Sequence, residues 1–587
     1  MKSRVLVTYS EVFDDKSQLS DEMLANIDKP TWAKIVARLN FLARRKENYP
    51  VRQVLNDWFS KDDAVYSDAL FRRIVEQYQK RKTKYADLGV INIWSNLTLL
   101  DRILGLNRQS SQNLGRSASE KELFNTYLIV NEIFKEKNDD FKDLLASEEG
   151  IITNIAKTYL PRLISYHELN HFDENELVIT NFVKTFLCLE FLCSSYAAIL
   201  YPFLALYGVD NWREYLKSLM SIAKLAFNEG DGSGLTYIDV PEGSSEQSRN
   251  LFGRISLTDT KIYSEKYDFI YARSFPLYEV EKGKFLILDK VLMVNRIYHS
   301  MFFEMKDLVS NTLDLKRKYK DFFSLYTFEF IEKYLSYFIL NYIFERFKGV
   351  KLTGEQIGLK GYSKNAPDFY VRNGNKVFLI EVKGNILRGD TKQSFDYAKI
   401  RREIDDKFVY DTKKNDHKAV LQLVDRIEIL YSGKAGYDIH CNYKKRIRVY
   451  PILIVSDLSM TTPGVNHLLN IEFQNAVANR DSIRERQQDI ANLVIIDLDT
   501  LILYADYFRE DPMFFEKLVK EYNSFISSAE KSVLSKKISL SQYSNPVDGL
   551  RAKCEQAITP FSKFIRGKLP RRTPEMFTDF GKRLIYP

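Results

Sequence analysis

The chain has 587 residues, 45% hydrophobic and 28% charged, a balance that excludes a disordered or collagen-like polymer and supplies material for more than one folded core. Its 86 basic and 78 acidic residues leave a net charge of +8, mild and interspersed, so an anionic partner would have to be met by a local patch. Cys188, Cys193, Cys441 and Cys554 show neither metal-ligand spacing nor a disulfide framework, which fits reduced thiols in a cytoplasmic protein; Cys188 and Cys193 fall in an apolar run and read as core.

Residues 1–255 are expected to form a mostly α-helical domain that recognises a substrate, a partner or a trigger. The opening MKSRVLVTYSEVFDDK has too short an apolar run for a secretory signal. In DKPTWAKIVARLNFLARR, Trp32, Ile35, Val36, Leu39 and Leu42 share one helical face, with Pro30 in the first turn. HELNH, His167 to His171, is a formal H-E-x-x-H match: on a continuous helix both histidines would share a face and could hold Zn²⁺, with Glu168 as general base. The helix pattern ends there, however, because FDENELVITNF opens a new helix with Asp173 as cap and Glu176 closing a capping box. A helix terminus with solvated histidines is the simpler reading, and a zinc metallopeptidase the alternative. The uncharged run at 191–209 is long enough to cross a bilayer, but Pro202 interrupts it, Ser194 and Ser195 dilute it, and no basic collar flanks it; it is read as two buried helical pieces broken near Pro202, with no membrane involved. Residues 228–250, polar and rich in Gly and Ser, predict a linker or long surface loop; the GDGSG within it lacks the Lys-Ser/Thr of a phosphate loop.

Residues 256–320 are expected to bridge two halves of the chain, with a hairpin in LYEVEKGKFLIL turning at Lys282-Gly283 and a helix after it. From 321 to 525 the pattern changes. The helix FSLYTFEFIEKYLSYFILNYIFERF leads into a hairpin at 365–385, followed by helices in FDYAKIRREIDDKFVY and KAVLQLVDRIEIL, the apolar strand IRVYPILIVSDL, the helix GVNHLLNIEFQNAVANR and the strand ANLVIIDLD. Apolar strands alternating with helices predict an α/β domain whose central mixed sheet is covered on both faces. Residues 526–587 form a basic segment, read as a solvated tail or a phosphate-contacting arm.

The hairpin NAPDFYVRNGNKVFLIEVKGN carries the chemistry. Asn373-Gly374 predicts a two-residue turn. That register sets Asp368 opposite Leu379, with Glu381 as a diagonal neighbour about 7–8 Å away and Asp368, Glu381 and Lys383 on one face. Charges occur only at the end of an otherwise apolar arm, and burying them unpaired is costly. A hard cation shared by the two acids would satisfy them, and Mg²⁺ suits one or two carboxylates plus waters.

Pro367-Asp368 followed by Glu381-Val382-Lys383 on an apolar strand resembles the PD-(D/E)xK nuclease superfamily, the restriction-endonuclease-like fold. The resemblance spans about 325–499 and leaves the helical half uncovered. It implies that Asp368, Glu381 and the Val382 carbonyl hold Mg²⁺ (Mn²⁺ substituting) while Lys383 orients the attacking water, in a DNA endonuclease of the kind found in restriction or anti-phage defence. Glu332 resembles the acid that members carry on the preceding helix, with Glu329 and Glu355 as rivals, and Gln422 resembles a glutamine that some place near the site. Lys360, Lys364, Arg388, Lys392, Arg401 and Arg402 are candidate nucleic-acid contacts. A protein that keeps the fold but only binds nucleic acid or serves as a scaffold is the remaining alternative.

Overall fold

The computed structural model describes residues 5–25, 27–44, 49–80, 83, 85–106, 115–139, 150–170, 173–226, 234–257, 269–363, 366–443, 445–511, 513–535 and 546–586. The chain forms two compact units, the first from Met1–Asp140, Leu169–Asn181 and Tyr201–Glu304, the second from Phe141–Glu168, Phe182–Leu200 and Met305–Pro587. The units interleave along the sequence, unlike the consecutive blocks expected at 1–255, 256–320, 321–525 and 526–587.

The first unit is helical with short strands. β1 (Val5–Leu6) pairs in parallel with β2 (Leu88–Gly89). β3 (Tyr237–Asp239), β4 (Ser256–Leu257), β5 (Leu277–Glu281) and β6 (Lys284–Ile287) form a four-stranded sheet in the order β3-β6-β5-β4. The hairpin expected in LYEVEKGKFLIL is β5–β6, with Gly283 at a φ of 77°. It belongs to this sheet instead of bridging two halves. The stretch expected to be a linker contributes β3 and helix Glu246–Ile255; its residues 228–233 lie outside the described ones. Helix α1 (Lys29–Ala43) is capped by Asp28, which accepts from the Thr31 N–H at 2.9 Å, and buries Trp32, Val36, Leu39 and Leu42. At its end Arg44 forks onto buried Asp289 at 2.8 and 2.9 Å, and Asp289 also accepts from the Leu292 N–H, so one carboxylate ties α1 to the turn that follows β6.

The apolar run at 191–209 breaks at Tyr196, between helix α2 (Glu174–Ser195) and helix Ala197–Ala205, and Pro202 lies inside the second piece. Ser194 Oγ donates to the Phe191 carbonyl at 2.9 Å, a local bond that competes with the backbone ladder where α2 ends. α2 is long and apolar enough to span a bilayer, yet 72% of its apolar window is buried within the protein. Cys188 is core, whereas Cys193 is exposed, contrary to expectation.

The second unit holds a five-stranded mixed sheet. Its members are β7 (Val350–Thr353), β8 (Phe369–Asn373), β9 (Lys376–Lys383), β12 (Arg448–Val455) and β13 (Val494–Asp497), in the order β13-β12-β9-β8-β7. The β7–β8 and β8–β9 pairs are antiparallel, and the β9–β12 and β12–β13 pairs are parallel. A small hairpin, β10 (Tyr410–Asp411) with β11 (Asp416–His417), stands apart from it. One face of the sheet, including Tyr370, Val377, Leu379 and Leu453, is buried with Ile400 and Ile404 of α3 (Tyr397–Phe408), Leu423 and Ile427 of α4 (Ala419–Tyr431) and Leu469 of α5 (Val465–Ala478). On the other face Phe378 stacks on Tyr450 at 4.8 Å, and Phe515 closes on it at 5.6 Å. The helix before the hairpin is π-wound over Leu325–Leu335 and continues as an α-helix over Ser336–Ile343.

The basic segment at 526–587 is not a solvated tail. Helices Pro546–Ala557, Phe561–Arg566 and Glu575–Ile585 bury Phe561, Ile565, Met576 and Phe580. Arg583 pairs with Glu190 and lies 5.0 Å over the Phe186 ring, while Arg572 meets Glu510 at 3.0 Å. Both cations are thus paired within the second unit, on helices that pack by their apolar residues, and not carried on a free arm.

All four tryptophans, Trp32, Trp58, Trp94 and Trp212, fall in the first unit, so indole fluorescence reports that unit alone. Removing one partner of a buried ion pair leaves the other charge stranded. Arg44→Ala is therefore expected to destabilise the first unit by about 3 kcal/mol in a urea titration followed by tryptophan emission; an unmoved midpoint would show that the Arg44–Asp289 pair holds nothing.

Candidate active site

β9 ends in Glu-Val-Lys, and its register with β8 sets what these residues meet. Phe369 pairs with Ile380 and Asn373 with Lys376, so the turn is Gly374-Asn375 and not Asn373-Gly374. Gly374 takes a φ of 60° at the first central position, as a type II′ turn requires. The register is thus shifted by two residues from expectation. Continued by one residue, it sets Asp368 directly opposite Glu381 instead of opposite Leu379. A shift of two preserves the face, because side chains alternate with a period of two.

The end of the ladder completes the arrangement. β12 engages the Lys383 carbonyl, which accepts from the Ser456 N–H at 3.2 Å. The preceding residue, Val382, therefore turns its N–H and carbonyl toward the β8 side. There the Val382 N–H donates to Asp368 Oδ2 at 2.7 Å, so the carboxylate serves as the last rung where strand β8 has ended. Two carboxylates and the Val382 carbonyl thus converge at one strand end.

Glu381 lies between this junction and Leu453 of β12, and is only 2% exposed. Lys383 Nζ lies 3.6 Å from Glu381 Oε2 and 4.0 Å from Asp368 Oδ2. Arg426 Nε of α4 lies 3.6 Å from Glu381 Oε1, an atom with no hydrogen-bond partner among the described residues. Burial, then repulsion from Asp368, pushes the Glu381 carboxyl up to about 8, against the pull of Lys383 and Arg426. Burial by itself would lower the Lys383 ammonium, but Asp368, Glu381 and Glu332 outweigh it and hold its proton more tightly than usual.

Glu332 is the upstream acid that reaches this point. It projects from the π-wound helix, and its Oε1 accepts from the Gly384 N–H at 2.8 Å. Burial raises its carboxyl above the usual carboxylate range, with Lys383 opposing. A Cβ on Gly384 would sit 2.6 Å from the Thr327 carbonyl oxygen, so only glycine lets the π-wound helix approach the strand end this closely. Its rivals do not join: Glu329 is ion-paired to Lys333 and Glu355 is exposed. Gln422 lies one turn before Arg426 on α4. Its Oε1 is buried without a hydrogen-bond partner among the described residues, and with Glu332, Lys383 and Asn385 it lines a cleft of about 310 Å³. Lys407, Lys414 and Lys418 line the same cleft, alongside Asp406 and Asp411.

The other basic candidates are mostly engaged elsewhere. Lys360 donates to the Tyr437 carbonyl, and Arg388 pairs with Glu403 at 3.3 Å. Lys392 is buried against Glu168, and Arg401 is held by Asp405 and Glu472. Arg402 is exposed on α3, and Lys364 lies outside the described residues. The HELNH stretch lacks the geometry of a zinc motif. His167–Asn170 is a 3₁₀ turn, in which positions four apart sit about 120° from one face. His167 Nε2 meets Thr461 Oγ1 at 3.1 Å, Glu168 is ion-paired to Lys392, and His171 lies outside the described residues. Arg426 escaped the sequence reading although QLVDR places it four residues after Gln422, on the same helical face; Lys414, Lys418 and Asn385 carried no signal in the sequence.

The residues present fit a hard divalent cation. The donor set is all oxygen, and Glu381 Oε1 is a buried acceptor without a donor among the described residues, near a second carboxylate. No three His, Cys, Asp or Glu side chains cluster as a ligand set among the described residues, so solvent or substrate oxygens would complete the shell. Comparison of the chain with protein-family models, curated proteins and solved structures returns no match.

Because the Glu381 carboxyl is raised from its ordinary value of 4.5 to about 8, the folded state keeps a proton there that the unfolded state has released. Stability therefore falls as pH rises through that window, and the penalty is complete above it. In EDTA, Glu381→Gln is expected to raise the unfolding temperature at pH 9, with the gain shrinking on acidification and vanishing toward about pH 4.5. Scanning calorimetry of both proteins across pH checks the sign; a gain that grows on acidification would contradict it.

Proposed function

We propose that the second unit is a Mg²⁺-dependent nuclease of the PD-(D/E)xK type, its mixed sheet a restriction-endonuclease-like core, hydrolysing phosphodiester bonds in DNA. The observation that carries this reading is the convergence of Asp368 and Glu381 on Lys383, whose Nζ lies 4.0 and 3.6 Å from them, at a strand end bordering a lysine-lined cleft. Glu332 supports it by joining the same cluster through Gly384.

Asp368, Glu381 and the Val382 carbonyl would hold the metal. When bound, Mg²⁺ polarises a phosphoryl oxygen and makes a coordinated water more acidic. As a ligand Glu381 would be ionised, its proton released to solvent, while Asp368 is held by the Val382 N–H. Lys383, flanked by three acids, remains an ammonium; it orients the attacking water and offsets charge developing on the phosphate. Glu332 holds the strand end through Gly384, and Gln422 offers its amide to the cleft.

Purified protein incubated with plasmid, linear and single-stranded DNA, and with RNA, is expected to cleave DNA in Mg²⁺ or Mn²⁺ and not in EDTA. Asp368→Ala and Lys383→Ala should each lower kcat by about a hundredfold or more. Cleavage that survives both substitutions would remove the site from the reaction. No metal-dependent cleavage of any substrate would leave a fold that only binds.

A further inference from the structure

The cleft beside Lys383 is bordered by the β10–β11 hairpin, which the chemistry above does not use. The cations lining it differ in what they already hold. Lys407 is committed to Glu403 and the Ile386 carbonyl. Lys418 sits 2.9 Å from Asp416 and 3.5 Å from Asp411. Lys414 is exposed, and its ammonium has neither an ion-pair nor a hydrogen-bond partner among the described residues, although it lines the cleft that Lys383 lines.

The turn that carries Lys414 is braced from within. Asp411 Oδ1 accepts from the N–H groups of Lys413 and Lys414 at 3.1 Å each, and Thr412 Oγ1 donates to Asp406 Oδ1 at 3.1 Å. Asn415 takes a φ of 54° to close the loop, which asparagine tolerates better than most residues. The two acids of this wall, Asp406 and Asp411, are thus occupied in shaping the hairpin, and Lys414 is left presented on a preorganised support. The cleft then has a cation at the reacting end, Lys383, and a free one on the hairpin. Both line one cleft, and a nucleic-acid strand carries one phosphate per nucleotide, so a strand entering there brings more than one phosphate to it. Its volume of about 310 Å³ lies at the lower end for sites that enclose small organic groups.

We propose that the β10–β11 hairpin is a phosphate clamp: Lys414 grips a backbone phosphate of the cleaved strand other than the scissile one, without regard to base sequence. The clamp rests on the nuclease reading and adds to it a substrate-positioning element outside the Asp-Glu-Lys cluster. It acts on binding and not on the chemical step.

The test uses the full chain and a fluorescein-labelled DNA oligonucleotide. Steady-state cleavage is measured for the parent, Lys414→Ala, Lys414→Gln and Lys414→Arg, and binding is measured across salt in an Asp368→Ala background. An exposed ion pair is worth up to about fivefold in affinity. Lys414→Ala and Lys414→Gln are therefore expected to raise KM by about that factor at low salt with kcat kept. The slope of log K against log salt should become shallower by about 0.7 to 0.9, the signature of one phosphate that the protein no longer neutralises. Lys414→Arg should restore both. If the parent cleaves but neither neutral variant changes KM or the salt slope, the clamp is wrong and the nuclease stands. A fall in kcat at constant KM also overturns the clamp, because it would place Lys414 in the chemistry. If the parent cleaves no nucleic acid, the nuclease reading fails and the clamp goes with it.

Discussion

Two carboxylates face each other at the end of a strand that is covered on both sides, and the second unit is arranged around that repulsion. Glu381 has Leu453 on one flank and the Asp368 carboxylate close by, so ionising it costs both burial and repulsion. Such a pair persists only where cations and donors surround it. Lys383 comes from the same strand two residues on, Arg426 from α4, and the Val382 N–H from the unused edge of the ladder. The π-wound helix, the residue that precedes β8 and helix α4 each deliver a group to this point: Glu332, Asp368 and Arg426. Sheet order, helix placement and local electrostatics are therefore one problem with one solution.

The polar cluster is an unfavourable way to end a strand. An apolar pair at the same place would be buried with a smaller desolvation penalty, and buried ionic groups are weak grounds for stability by themselves. The arrangement makes sense if the repulsion is relieved by a cation when the protein acts, with some stability forgone in its absence. Gly384 fits that design. It lacks a side chain so that Thr327 and Glu332 can close on the strand end.

Parts of this were legible in the chain and parts were not. The strands and helices of the second unit follow from apolar periodicity, and the sharing of a face by Asp368, Glu381 and Lys383 follows from strict alternation. A register displaced by two residues left that face intact, because the period of a strand is two. Choosing Glu332 over Glu329 and Glu355 was beyond the sequence, since all three acids lie within reach of the motif and only the π-wound helix turns one of them onto Gly384. HELNH shows the opposite failure. Its spacing matches a helix that the chain does not form there, and Glu168 is instead paired with Lys392.

By itself the sequence determined the local patterns: which segments are helix or strand, where the hairpin turns to within a residue, and which charged side chains share its inner face. These are short-range properties, set by side-chain period and turn chemistry. Only the tertiary structure decided the interleaving of the two units, the two-residue shift that brings Asp368 and Glu381 together at Lys383, the arrival of Arg426 and Glu332, and the burial of cations such as Lys392 that looked free. Those depend on contacts between residues far apart in the chain, where no periodicity carries information and packing alone selects the partner.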